Sequence, residues 1–129
     1  MATESILIVD DSPANLKLVC LLLKGEDYNI RTAMDAEAAL ETLKSFRPDL
    51  ILMDIQLPGM DGLELTRRLK ADNVTREITI VALTAYAMKG DKERTAYAGC
   101  DGYIAKPIDT RSFLRLVAEY LRPGEKIAE

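Results

Sequence analysis

The sequence predicts an α/β protein of one domain, in which a doubly wound parallel sheet is covered by helices on both faces. Two observations predict this fold. Apolar segments typical of buried strands alternate five times with segments whose apolar residues recur at helical spacing. The clearest strand, Leu50 to Met53, is apolar at every position, as expected for a strand covered on both faces. The alternation occupies about residues 4–122 of 129, which is the size of a single domain.

The first β-α unit has clear signals at both ends. Residues Ser5 to Val9 form a mainly apolar run that predicts the first strand. Ser12 is a favourable helix N-cap and Pro13 suits the first helical position, so the first helix is predicted to begin here. Gly25 predicts the C-cap of this helix, because glycine readily takes the left-handed conformation.

The second unit is shorter. Residues Tyr28 to Ala33 predict the second strand, and Asp35 predicts the start of the second helix. This helix is expected to extend toward Phe46 and to end before Pro48, because the residue that precedes a proline resists the helical conformation.

The third unit contains the strand Leu50–Met53, which runs directly into the carboxylate of Asp54. A turn at residues 57–59 follows, and Asp61 predicts the N-cap of the third helix. Glu64, three residues later, completes the pattern of a capping box. Asp72 and Asn73 are expected to end this helix.

The last two units are predicted from residue 78 onward. Residues Ile78 to Leu83 form the fourth strand, which ends at Thr84, and residues Gly102 to Ala105 form the fifth. The helix between them, residues 85–98, is weak, since its apolar face is Ala and Met and it contains a glycine. Asp109 or Thr110 is expected to cap the last helix, and residues 123–129 form a polar tail.

The composition excludes several classes of function. The chain has 17 basic and 21 acidic residues, so a nucleic-acid or anionic-membrane binder, which would carry a basic patch, is not expected. No apolar run is long enough to span a bilayer, and no secretory signal is visible, so a cytoplasmic location is predicted. Cys20 and Cys100 fit no metal or redox spacing. Because the chain has no histidine, any histidine chemistry must come from a partner.

Polar residues stand at the carboxyl ends of four of the five predicted strands. In an open parallel sheet these ends lie on one edge, where ligands bind. Three carboxylates placed together would repel one another, and Mg²⁺ is the cation that suits such all-oxygen ligands. A carboxylate, Mg²⁺, a lysine and a hydroxyl are the groups used in phosphoryl transfer. The residues are Asp10 and Asp11 after strand one, Asp54 after strand three, Thr84 after strand four and Lys106 after strand five.

Each of these residues also has a simpler interpretation. Asp10 and Asp11 can serve as a capping pair before the first helix, and Asp54 can be a polar residue that ends a strand. Thr84 is unremarkable at a strand end, and Lys106 before a proline can be part of a surface turn. Each signal is weak by itself, and only their combination favours a common site.

The chain resembles the receiver domain of two-component response regulators along almost its whole length. The resemblance rests on four motifs in a fixed order, and it implies a (βα)5 flavodoxin-like fold with strand order 2-1-3-4-5. The motifs are Ile-Leu-Ile-Val-Asp-Asp at residues 6–11, Leu-Ile-Leu-Met-Asp-Ile-Gln-Leu-Pro-Gly-Met-Asp-Gly at 50–62, Ala-Leu-Thr-Ala at 82–85, and Gly-Tyr-Ile-Ala-Lys-Pro at 102–107.

The resemblance implies roles for individual residues. Asp54 would accept a phosphoryl group from a phosphohistidine on a sensor histidine kinase or a histidine phosphotransfer protein. Asp10, Asp11, Asp54 and the main-chain carbonyl of Gln56 would bind Mg²⁺. Lys106 would pair with the phosphoryl group, Thr84 would bond to it, and Tyr103 would swing inward. The bond between Lys106 and Pro107 would be cis.

The resemblance also implies a signalling mechanism. Phosphorylation would shift the face formed by the helix at 85–98, the fifth strand and the last helix, and this face would bind a downstream protein. The residues at 85–89 are expected at that partner surface. The domain would be a monomer or a weak dimer that binds neither nucleic acid nor membrane. The start at Met1 and the short tail favour a stand-alone receiver of the chemotaxis type over one excised from a hybrid kinase.

Three alternative functions share part of this pattern. An aspartate-nucleophile phosphatase of the haloacid dehalogenase type also uses Asp, Mg²⁺ and Lys, but it carries a second Asp where this chain has Gln56. A flavodoxin-like FMN protein needs a hydroxyl-rich phosphate loop, whereas Asp10 and Asp11 would repel phosphate there. An interaction module that is never phosphorylated would be favoured by loss of an acidic residue or of Lys106, and neither is lost.

Overall fold

The computed structural model describes residues 4–84, 98–105 and 108–121. Five parallel strands form one sheet in the order β2-β1-β3-β4-β5, so the strand order implied by the resemblance is confirmed. Most strand bounds match the predicted ones to within one residue. The strands are β1 (Ser5–Val9), β2 (Asn29–Ala33), β3 (Leu50–Asp54), β4 (Thr79–Thr84) and β5 (Gly102–Ala105).

Helices cover both faces of the sheet. In the described ranges they are α1 (Pro13–Leu23), α2 (Ala36–Thr42), α3 (Gly62–Ala71) and α4 (Phe113–Leu121). One apolar core joins α2 and α3 to one face of the sheet, and a second core joins α1 and α4 to the other face. The central strand β3 is buried at every position, because it faces both cores. The predicted doubly wound architecture is therefore confirmed.

Three of the four predicted N-caps are confirmed. Each cap side chain accepts a hydrogen bond from a main-chain N–H in the first turn of its helix: Ser12 from Asn15 at 3.2 Å, Asp35 from Ala38 at 2.7 Å and Asp61 from Glu64 at 2.8 Å. The carboxylate of Glu64 lies against Arg67 and Arg68 on the helix surface. Asp61 therefore caps α3, while the side chain of Glu64 contributes to exposed ion pairs.

Two predicted helix ends were wrong. The first helix ends at Leu23 and Lys24 is its C-cap in a right-handed conformation, so Gly25 does not take the predicted role. The second helix ends at Thr42 instead of continuing to Phe46. Turns follow, in which the N–H of Phe46 donates to the carbonyl oxygen of Thr42 at 2.9 Å. Phe46 is nevertheless buried in the core, since its burial does not require it to be helical.

The start of the last helix also differs from the prediction. The side chain of Asp109 accepts a hydrogen bond from the N–H of Arg111 at 3.0 Å, and turns occupy residues 110–112 before α4 begins at Phe113. Gly99 has a φ of +106°, a conformation that favours glycine, and it directly follows the last residue of the helix predicted at 85–98. The rest of the predicted helix at 85–98, the bond between residues 106 and 107 and the predicted tail lie outside the described residues. Within the described part of the chain, no helix has the length and apolar character required to cross a bilayer.

Candidate functional site

Three carboxylates converge at the carboxyl edge of the sheet. Asp10 follows β1, Asp11 is next to it, and Asp54 is the last residue of β3. Since β1 and β3 are neighbours with Val9 paired to Met53, the two strands end side by side. One carboxylate oxygen from each aspartate lies within 4.8 Å of the others. The sequence predicted that these three aspartates would be close, because parallel strands have their carboxyl ends at one edge. The structure brings them together at that edge.

The backbone holds two of these carboxylates in place. Asp10 is 1% exposed, and one of its oxygens accepts a hydrogen bond from the N–H of Ser12 at 2.9 Å. Asp54 is 6% exposed, and one of its oxygens accepts a hydrogen bond from the N–H of Gln56 at 3.0 Å. Asp11 is exposed. Short side-chain-to-backbone turns of this kind restrict the orientation of an aspartate.

The charges in this cluster suit a divalent cation. Carboxylates this close together repel one another, and two of the three are largely removed from water. Oxygen ligands on a rigid edge with one exposed member fit Mg²⁺, which is bound through a few carboxylates while it keeps part of its water. The donor set therefore fits the predicted magnesium ion.

The main chain at Asp54 lies directly against the start of α3. A Cβ atom on Gly62 would overlap the carbonyl oxygen of Asp54 and would lie 2.7 Å from the Cα atom of Ile55. The N–H of Gly62 also donates a hydrogen bond to the carbonyl oxygen of Ile55 at 3.1 Å. Only glycine fits here, so Gly62 determines how closely α3 approaches the acidic cluster.

Thr84, Gln56 and Lys106 were also predicted to belong to the site. Thr84 ends β4 and pairs with Ala105, one position beyond the pair formed by Asp54 and Leu83, so its backbone lies at the same edge. Gln56 is exposed, and its N–H contacts Asp54. Lys106 and Pro107 lie outside the described residues.

Tyr103 lies within β5 and is half-buried. It packs against a small apolar cluster that includes Ile55 and Leu63. Ile55 is the residue after Asp54, and Leu63 is in the first turn of α3. Tyr103 is therefore close to the main chain that follows Asp54, although its strand β5 is two strands away from β3.

A groove of about 670 Å³ lies elsewhere, between the end of α1 and the edge strand β2. Its lining includes Cys20, Leu21, Tyr28 and Ile30, and none of the three clustered aspartates contributes to it. This groove is therefore separate from the acidic cluster.

Comparison with known proteins identifies the family. The sequence profile of the response regulator receiver domain matches residues 6–118. The chain belongs to the response regulator receiver domain family. Receiver domains are the phosphoryl-accepting switches of two-component signalling, and this chain is such a switch. The resemblance found in the sequence is thereby confirmed.

Relatives and solved structures agree with this assignment. The chain is 47% identical to the polar-differentiation response regulator DivK of Brucella ovis over 120 residues, which are 92% of this chain and 97% of that protein. It superposes on a putative response regulator from Chloroflexus aurantiacus with a TM-score of 0.88 at 32% identity, covering 93% of this chain and 98% of that one.

A second solved structure bears on the metal. The receiver domain of a sensor histidine kinase from Pseudomonas aeruginosa has a TM-score of 0.83 and 34% identity, with 93% of this chain and 98% of that chain covered. That structure has a magnesium ion coordinated in its active site cleft. Receiver domains as a family bind Mg²⁺ at an acidic pocket and work with histidine kinases or phosphotransfer proteins and with downstream targets.

Proposed function

We propose that Asp54 is the phosphoacceptor of this receiver domain. The observation that supports this role is the convergence of Asp54 with Asp10 and Asp11 at the carboxyl edge of the sheet. Asp54 is the last residue of β3, the middle strand of the sheet, which is paired with β1 on one side and β4 on the other. Its backbone-held carboxylate can present one oxygen to an incoming phosphoryl group while the main chain stays fixed.

The transfer is a nucleophilic displacement at phosphorus. A carboxylate oxygen of Asp54 forms a bond to phosphorus as the bond between phosphorus and the histidine nitrogen of the partner breaks. The partner imidazole leaves with the electron pair of that bond and takes up a proton. The histidine must belong to a partner, either a sensor histidine kinase or a histidine phosphotransfer protein, because this chain contains none.

Asp10, Asp11, Asp54 and the main-chain carbonyl of Gln56 would hold Mg²⁺ at this edge. The ion would supply positive charge to offset the phosphoryl oxygens. Asp10 and Asp54 contribute buried, oriented oxygens, and exposed Asp11 leaves one side of the site open to the partner. The same residues would assist both phosphorylation and hydrolysis of the acyl phosphate, so the protein is a switch that assists its own chemistry and does not act on a separate substrate.

Lys106, Thr84 and Tyr103 complete the proposal. Lys106 would pair with the phosphoryl group, and Thr84 would bond to it from the end of the neighbouring strand β4. Tyr103 would then move inward and change the face formed by residues 85–98, β5 and α4, which would bind the downstream protein. We further propose that the domain extends over residues 4–122, with 123–129 as a polar tail. Two cysteines without disulfide bonds fit the cytoplasm.

Intact-mass measurement with a small phosphodonor and Mg²⁺ tests the proposal. We expect one phosphoryl adduct, which a chelator of Mg²⁺ prevents and which Asp54→Asn abolishes. Asp27→Asn is the matched control, because Asp27 is exposed and lies outside the acidic cluster, and it should keep the adduct. An adduct that persists in Asp54→Asn, or no adduct with any phosphodonor, would overturn the proposal. Continuous release of phosphate from varied monoesters would instead indicate a phosphatase.

A further inference from the structure

The side chain of Lys70, near the end of α3, makes contacts that no other described lysine makes. Its ammonium group donates to the carbonyl oxygen of Ile78 at 2.8 Å, to a carboxylate oxygen of Asp101 at 2.9 Å and to the carbonyl oxygen of Arg76 at 3.2 Å. These three acceptors use all three donors of the ammonium group. The side chain of Lys70 is 21% exposed, whereas Lys44 in its ion pair with Glu41 is 73% exposed. Lys70 therefore joins α3 both to residues 76–78, just before β4, and to Asp101, just before β5.

Asp101 connects this contact to the sheet. The carboxylate oxygen that binds Lys70 also accepts a hydrogen bond from the N–H of Ile80 at 2.8 Å. The N–H of Asp101 in turn donates to the carbonyl oxygen of Ile80 at 2.7 Å. Asp101 is the residue before β5, so these bonds fix the point at which β5 joins β4. We call Lys70, Asp101 and their shared contacts the clamp.

The segment that leads into the clamp also rests on α3. Gly99 has a φ of +106°, and a Cβ atom there would lie 3.0 Å from the Cγ atom of Lys70. The thiol of Cys100 lies 3.9 Å from the hydroxyl of Thr66, which donates to the carbonyl oxygen of Gly62 at 2.8 Å. Residues 99–101 thus lie against α3 at Thr66, in its middle, and at Lys70, in its last turn.

Tyr103 follows the clamp by two residues. Its side chain packs against the small apolar cluster that includes Ile55, the residue after Asp54, and Leu63, in the first turn of α3. The first turn of α3 therefore contributes Leu63 to the cluster on which Tyr103 packs, and the last turn of α3 holds the start of β5 through Lys70 and Asp101. A helix that meets both the tyrosine's packing cluster and the start of its strand restricts where the tyrosine can lie.

We propose that Lys70 is a positioning residue for Tyr103, which acts through Asp101 to hold the start of β5 against α3. This inference rests on the proposed function, in which Tyr103 takes different positions in the two states of the switch. Without the clamp, the start of β5 loses its ion pair with α3, and the equilibrium between the two positions of Tyr103 changes. The charge on Asp54 is then no longer the only factor that sets this equilibrium.

Nuclear magnetic resonance of ¹³C-labelled tyrosine tests this inference. The Tyr103 signal is assigned with Tyr103→Phe, and spectra are recorded with and without Mg²⁺ and beryllofluoride, an analogue of the phosphoryl group. In the parent protein we expect the Tyr103 signal to move when the analogue binds. In Lys70→Met, the signal of the ligand-free protein should already be displaced toward the bound position, with the equilibrium changed by about fivefold or more. Phosphoryl adduct formation at Asp54 should persist.

Two further variants make the test specific. Asp101→Asn keeps an acceptor for the N–H of Ile80 but removes the charge, so it should act in the same direction. The double variant should change the Tyr103 signal no more than Lys70→Met alone, because both substitutions break one contact. Lys44→Met is the matched control, since Lys44 lies in an exposed ion pair within a turn, and its Tyr103 signal should match the parent.

Different outcomes overturn different statements. If Lys70→Met and Asp101→Asn give the parent Tyr103 signal in both states, Lys70 does not position Tyr103. If Lys70→Met does not fold, Asp101→Asn decides alone by the same criterion. A parent protein that forms the adduct while its Tyr103 signal stays unchanged also overturns the inference. A parent protein that forms no adduct with any phosphodonor overturns the proposed function itself.

Discussion

The carbonyl oxygen of Asp54 occupies the place where a side chain on Gly62 would begin. The first turn of α3 therefore sits against the main chain of the proposed phosphoacceptor, and the carbonyl carbon of Asp54 is 3.0 Å from the Cβ position of Gly62. Asp61 caps the same turn. The position of α3 and the position of Asp54 therefore depend on each other, and any side chain at residue 62 would push them apart.

Gly62→Ala tests this relationship. Alanine is the better helix former by about 1 kcal/mol, yet we expect a loss of about 1–3 kcal/mol in the free energy of unfolding because the new methyl group overlaps the backbone. Adduct formation at Asp54 should also slow. Urea unfolding and intact mass measure the two effects. Gly25→Ala is the control, since nothing lies within 4 Å of its Cβ position, and it should be neutral or slightly stabilising.

Asp10→Asn tests the metal site. The amide oxygen can still accept the hydrogen bond from Ser12, but one of the three clustered charges is removed. We expect Mg²⁺ affinity to fall by about 10- to 100-fold, while stability in the presence of a chelator rises because repulsion is relieved. Unfolding temperature measured across a Mg²⁺ titration reports both effects. An unchanged Mg²⁺ dependence, equal to that of Asp27→Asn, would contradict the site.

Gly102→Ala tests the packing of β5 against α4. A Cβ atom at Gly102 would overlap the ring and hydroxyl of Tyr120, so the substitution should cost about 1–3 kcal/mol of unfolding free energy. Replacing Tyr120 with alanine removes the ring and, with it, the overlap. In the double variant with Tyr120→Ala, the added cost of Gly102→Ala should therefore be much smaller than in the parent. Additive losses in urea unfolding would show that the two residues do not compete for this space.

The thiol of Cys100 gives a pH dependence. Burial is the main cause that raises the pKa of this thiol above its usual 9.0. Its contribution to stability is therefore fully present below pH 9.0 and is lost as pH rises from there through the folded-state pKa. Cys100→Ala should remove this part of the alkaline loss. Unfolding free energies at pH about 7 and about 10 measure it, and an equal alkaline loss with and without the thiol would contradict it.

The sequence by itself was sufficient for the fold class and for the identity of the acidic cluster. A strand such as Leu50–Met53, apolar at every position, is typical of the interior of a sheet covered on both faces, and parallel strands bring their carboxyl ends to one edge. The caps at Ser12, Asp35 and Asp61 were also predictable, because a cap depends on residues within one helical turn.

Only the tertiary structure decided the features that depend on contacts between distant residues. The second helix ends at Thr42 and the last begins at Phe113, although local signals in the sequence predicted other positions for both boundaries. Apolar spacing predicts which residues are buried, but a buried residue such as Phe46 does not have to be helical. The roles of Gly62 and Lys70 each depend on a contact with a residue outside α3. Gly62 lies against the main chain of Asp54, and Lys70 binds the carboxylate of Asp101. Spacing along the chain predicts which residues share an edge or a helical turn, whereas the packing of helices against strands determines which of them touch.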